Sequence, residues 1–207
     1  MKQKEYNLII NWNLIGISVV IMSILTVLVL YYPGMRDLDS TILKSIMLAL
    51  SPFPNYVPMF INEFGRANYM LWPQIAAGCT LISHKYYLKA FMLILFTNIS
   101  FLLKDLIKDF ICRPRPDSCG VSGFSFPSGH ACTSMCFYGI VLYLIFIYIQ
   151  SNFWRNILII LLGVWIFLCG ISRLWLGVHF PSDILAGWAL GFILVNLYII
   201  FDKSLSR

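Results

Sequence analysis

Six apolar runs dominate the chain, at about 12–32, 67–83, 86–108, 130–150, 155–175 and 182–201. A hydrocarbon layer about 30 Å thick needs roughly 20 apolar residues in a helix, so each run predicts a membrane span. The second run is the shortest and opens with Tyr69 and Trp72, which suit the membrane interface. Between the first two runs, Met35–Arg66 does not predict a span, because Pro52, Pro54 and Pro58 would interrupt a membrane helix. Ahead of those prolines, Asp37, Asp39 or Ser40 can cap a short helix carrying Ile42, Leu43, Ile46, Met47 and Leu50 on one side. Such a helix lies in the interface, packing over the bundle or forming a lid or lateral gate for lipid entry. The predicted fold is all-α: one domain over residues 1–207, with six transmembrane helices and an amphipathic interfacial helix between the first and second.

Composition agrees with a polytopic membrane protein. The chain is 59% hydrophobic and 12% charged, with a mean hydropathy of +0.80. A soluble domain carries about a quarter charged residues. The net charge of +6 does not point to nucleic acid, because the basic residues form no stripe and sit at the ends of apolar runs. The N-terminal segment is short and basic, and the run after it is long enough to remain as a span rather than a cleaved signal. Cys132 and Cys136 lie one helical turn apart without a second ligand pair, which predicts helix packing rather than a metal site.

Charge bias sets the expected orientation. The side holding both termini carries Lys2, Lys4, Lys85, Lys89, Arg155, Lys203 and Arg207 against Glu5 and Asp202. The opposite side has eight basic residues against seven acidic ones. Both termini are therefore expected in the cytoplasm, and the short chain with minimal loops suggests a bacterial inner (cytoplasmic) membrane.

Three polar clusters fall at span ends on the other, extracytoplasmic face. They are Lys108 to Pro116, Phe126 to His130, and Ser172-Arg173 with His179 and Asp183. Odd-numbered spans end on that face and even-numbered spans begin there, so the topology gathers the clusters. Phosphoryl transfer needs cations for the phosphate oxygens, an in-line nucleophile and an acid for the leaving oxygen. Lys108, Arg115 and Arg173 supply the cations, and arginine can bind phosphate through two parallel hydrogen bonds. Ser128 and Gly129 precede the fourth span, whose first amides form an anion site within reach of His130. His179 and Asp183 are four residues apart, so the carboxylate can hold one imidazole nitrogen and leave the other to attack.

These clusters resemble the motifs of the type 2 phosphatidic acid phosphatase (PAP2) superfamily. Its Lys-x6-Arg-Pro matches Lys108 to Arg115-Pro116, its Pro-Ser-Gly-His matches Pro127 to His130, and its Ser-Arg-x5-His-x3-Asp matches Ser172-Arg173 through His179 to Asp183. The resemblance implies an integral membrane lipid phosphatase working through a phosphohistidine at His179, assisted by Asp183. It implies that His130 protonates the leaving group and that Lys108, Arg115, Ser128, Gly129 and Arg173 bind phosphate. It implies no metal or other cofactor, and the sequence offers no carboxylate cluster for one. Arg113 is an extra headgroup contact or surface charge. Lys104 and Asp105 can point into the same cavity.

The rivals are a phosphotransferase that hands the phosphate to another lipid or sugar, and a non-enzymatic lipid-binding or transport protein. The expected substrate is an envelope lipid phosphate or diphosphate: undecaprenyl diphosphate, phosphatidylglycerol phosphate, phosphatidic acid or the phosphates of lipid A. Cys112 and Cys119 flank Arg113–Ser118 on the oxidising side, where a disulfide would clamp the loop bearing Arg115. Two free thiols are the alternative.

Overall fold

A computed structural model describes residues 12–64, 67–116 and 120–205. Among the described residues there are eight helices and no strand: α1 (Trp12–Tyr31), α2 (Met35–Leu50), α3 (Tyr56–Phe64), α4 (Ala67–Ser83), α5 (Tyr87–Ile111), α6 (Gly129–Tyr148), α7 (Asn152–Trp175) and α8 (Pro181–Leu205). Helices α1, α5, α6, α7 and α8 are long and apolar enough to cross a membrane. The remaining expected span, 67–83, is helix α4, with 17 residues and Pro73 inside it. At 1.5 Å per residue it reaches only about 25 Å.

The bundle is built around α8. Helix α6 runs beside it, α1 packs along its outer side, and α5 and α7 flank α6. Contact between α6 and α8 is close because Gly187 and Gly191 stand one turn apart on α8. A Cβ at Gly187 would lie 2.6 Å from the Ser128 carbonyl oxygen, and one at Gly191 would lie 2.5 Å from that of Cys132. Small residues let membrane helices approach at backbone distance, and here they seat the start of α6 against the start of α8. Farther along, Phe137, Ile140, Leu194 and Tyr198 fill the common core. Buried Cys132 and Cys136 belong to the α6 packing face. At the far end, Lys89 pairs with Asp202, which also accepts a 2.8 Å hydrogen bond from the Tyr143 hydroxyl.

The segment between α1 and α4 differs from the sequence expectation in three ways. Helix α2 starts at Met35 after Gly34, and no side chain caps it, so Asp37 lies in its first turn and neither Asp39 nor Ser40 is a cap. Its inward face is Met35, Asp39 and Leu43 at four-residue spacing. Leu43, with Ile46 and Met47, meets Ala131, Leu174, Phe180 and Ile184, whereas Ile42 stays exposed. A second short helix, α3, includes Pro58 in its first turn, where the missing amide hydrogen leaves no helical bond unmade. Helix α2 packs against α7 and α8, and α3 packs against α7.

Candidate active site

Four helix ends meet at one end of the bundle. Helix α5 stops as Cys112 adopts a left-handed conformation (φ 53°), which turns the chain back so that Arg113 is buried. The loop then reaches Ser128, whose amide donates to the Asp183 carbonyl at 2.9 Å, fixing the start of α6 to the first turn of α8. Helix α7 ends with Ser172 and Arg173, and its Gly177 turn leads through His179 into Pro181.

His179 is the centre of this cluster and is 1% exposed. Its Nδ1 stands 3.3 Å from Asp183 Oδ2. An Arg115 guanidinium nitrogen lies 3.2 Å from its Nε2 and also donates to the Val178 carbonyl at 2.8 Å. A guanidinium only donates, so Nε2 must be an acceptor and the imidazole proton must sit on Nδ1, facing the carboxylate. Burial pushes the His179 pKa down to about 4, Arg173 and Arg115 lower it further, and Asp183 opposes them. A lowered pKa favours the uncharged ring, so His179 is neutral at neutral pH and presents a lone pair on Nε2. The chain has only three histidines. Nitrogen NMR of histidine-labelled protein should therefore resolve the His179 imidazole, which stays neutral and protonated on Nδ1 through pH 5. A His179 signal titrating near 6.5 would contradict this electrostatic picture.

The other motif residues lie at the same end of the bundle. Arg173 is buried and donates to the Asn62 side-chain oxygen, and His130 Nε2 lies 3.1 Å from the Asn62 carbonyl. His130 is within electrostatic range of Arg173, His179 and Lys108, and Lys108 of Arg115 and Asp183. Ser128 is fully buried, and its hydroxyl oxygen has no hydrogen-bond partner among the described residues. A buried hydroxyl left unpaired costs about 1–3 kcal/mol, and one beside the free amides of Gly129 and His130 suits a bound anion. All eight candidate site residues thus fall at this one end. Ser172 turns away, donating to the Cys169 carbonyl at 2.9 Å.

Three residues gain roles that their sequence context did not reveal. Arg113 is not surface charge: it is 7% exposed and donates to Asp183 Oδ1 and Asp39 Oδ2 at 2.6 Å each. Asp39 is 2% exposed and also meets Ser182. Asn62, from α3, links Arg173 to His130. Lys104 lies beside the cluster, with its stem against Gly129 and its ammonium 2.5 Å from Asp105. It lines a cavity of about 450 Å³ between α4 and α5, with Gln74 and Asn98. The expected Cys112–Cys119 bridge falls on Cys119, outside the described residues. Among the described residues no group of three or more His, Cys, Asp or Glu side chains is arranged to hold a metal ion.

Known proteins give this geometry a context. The PAP2 superfamily matches residues 87–206. Phosphatidylglycerophosphatase B of Bacillus subtilis is 30% identical over 84% of this chain and 88% of its own. A lipid A 1-phosphatase of Rhizobium etli is 34% identical over 47% of this chain and 44% of its own. The crystal structure of a transmembrane PAP2-type phosphatidylglycerolphosphate phosphatase from Bacillus subtilis superposes with a TM-score of 0.85 at 28% identity, covering 93% of this chain and 98% of that one.

Proposed function

Because the chain belongs to the PAP2 superfamily, we propose that it hydrolyses the phosphate of a membrane lipid through a phosphohistidine at His179. The observation that carries this reading is the run Asp183–His179–Arg115, in which the imidazole proton faces the buried carboxylate and Nε2 faces a phosphate-binding cation. Nε2 attacks phosphorus as the bond to the lipid oxygen breaks, and His130 gives that oxygen a proton. Water then gives a proton back to His130 and attacks the phosphohistidine, breaking the phosphorus–nitrogen bond, releasing inorganic phosphate and restoring both histidines. Lys108, Arg115 and Arg173, with the Ser128 hydroxyl and the Gly129 amide, neutralise the phosphate oxygens. Arg115 exchanges its contact with Nε2 for one with the phosphate when substrate arrives. No step calls on a metal.

Phosphatidylglycerol phosphate is the first substrate to test, because the relative matched over most of its length is a phosphatidylglycerophosphatase. A lipid A phosphate is the second, on the shorter matches. The experiment is phosphate release by purified protein in detergent with EDTA, across these two lipids, phosphatidic acid and undecaprenyl diphosphate. Turnover of at least one lipid, inhibited by vanadate, is the expected result. Turnover that requires an added divalent metal would overturn the metal-free mechanism. Adding a second lipid or sugar as acceptor distinguishes hydrolysis from phosphotransfer.

Topology completes the reading. Helix α4 crosses as the sixth span, α2 and α3 lie at the extracytoplasmic interface, and both termini are cytoplasmic. With the native cysteines replaced, a cysteine at Ser122 should react with an impermeant reagent added outside the cytoplasmic membrane, and one at Lys203 should not. The reverse pattern would place the site in the cytoplasm.

A further inference from the structure

We propose that Asp39, on a helix outside all three motifs, is a positioning residue that acts on His179 through Arg113 and Asp183. This inference rests on the phosphohistidine reading and assigns α2 a part in the site. Arg113 divides its donors between two carboxylates. One terminal nitrogen meets Asp183 Oδ1 at 2.6 Å and the Ser182 hydroxyl at 2.7 Å, and the other meets Asp39 Oδ2 at 2.6 Å. The guanidinium lies over the Phe180 ring, 4.4 Å from its centroid. Asp39 also accepts the Ser182 amide at 3.1 Å and the Ser182 hydroxyl, so it holds the first turn of α8 from across the fold. Every member of this network is buried.

Charge gives Asp39 more than a packing role. When Nε2 attacks, the imidazole of His179 becomes positive, and Asp183 is the group that stabilises it. Arg113 alone would cancel the charge of Asp183, leaving a neutral pair beneath the imidazole. The second carboxylate restores a net charge of about −1 to the Asp39–Arg113–Asp183 triad, in a buried site where charges are weakly screened. Asp39 also fixes the guanidinium, so that Asp183 keeps one oxygen for Arg113 and the other for His179 and the Phe180 amide.

The test is Asp39→Asn, which keeps the shape and removes the charge, assayed with phosphatidylglycerol phosphate micelles beside wild type and His179→Ala. The expected result is a kcat lowered about tenfold to a hundredfold with KM within about twofold. The His179 imidazole should also titrate at lower pH than in wild type, because a negative charge has been removed from its surroundings. Wild-type kcat, or a fall in kcat/KM that comes entirely from KM, would overturn the inference. If Asp39→Asn does not fold, Ser182→Ala carries the test. It loses the hydroxyl between Asp39 and Arg113 but keeps every charge, and should lower kcat about threefold to tenfold. Unchanged kcat there overturns the inference as well. The two readings fail separately: turnover by His179→Ala removes the phosphohistidine, whereas an inactive His179→Ala beside a fully active Asp39→Asn removes only the role of Asp39.

Discussion

On the proposed mechanism, replacing His179 with alanine should lower phosphate release by about four powers of ten or more, because the attacking atom itself is lost. The protein should remain folded. His179 is buried, but its ring contacts are polar ones to Asp183 and Arg115, and the neighbouring Phe180 and Ile184 hold the first turn of α8 without it. Binding should survive the change, since Lys108, Arg115, Arg173 and the start of α6 are untouched. His130→Ala should cost less, and least with a diphosphate, whose leaving group departs without a proton donor. Phosphate release assays on both variants, with a thermal transition in detergent as the folding check, measure the contrast. Near-normal turnover by His179→Ala would remove the nucleophile from the mechanism.

Asp183→Asn should cost about three to four powers of ten, although it changes one atom. Asp183 accepts from Arg113 on one oxygen, and from the Phe180 amide and His179 on the other. An asparagine has one acceptor and one donor end. Arg113 is a charged donor at 2.6 Å, so it claims the amide oxygen over the neutral Phe180 amide at 2.9 Å and leaves the NH2 group facing Nδ1. That group forces Nδ1 to accept and moves the imidazole proton to Nε2, the nitrogen that must attack. The variant should therefore fold, bind substrate and fail in chemistry: kcat falls while KM stays within a few-fold. A drop in affinity at unchanged kcat would instead give Asp183 a role in binding.

The sequence disclosed the long helices and the motif residues for different reasons. Runs such as 12–32 and 182–201 are legible because a membrane demands apolar length, and α1 and α8 start and end within a few residues of them. His179, Asp183 and Arg115 are legible because their chemistry is scarce in apolar sequence and recurs at span ends. The region before α4 was legible only in outline. Asp39 sits where a helix cap is plausible, and nothing nearby reveals that its partners are Arg113 and Ser182, the latter 143 residues away. Arg113, one of two adjacent Arg-Pro pairs, gave no sign of pointing inward, because that follows from the left-handed turn at Cys112. Asn62 gave none either: it is one polar residue in a short proline-containing helix, and its link to Arg173 and His130 depends on how α3 packs against α7. Local pattern reports burial and chemistry, whereas contacts across the bundle depend on topology.

The covalent intermediate is open to direct observation. Purified protein turning over radiolabelled phosphatidylglycerol phosphate should be quenched in alkali, where a phosphorus–nitrogen bond to histidine survives, and digested for mass spectrometry. The expected result is a phosphate on the peptide containing His179, lost on brief acid treatment and absent from His179→Ala. Active turnover with no trapped phosphate on His179, or with the label on a different residue, would contradict the mechanism.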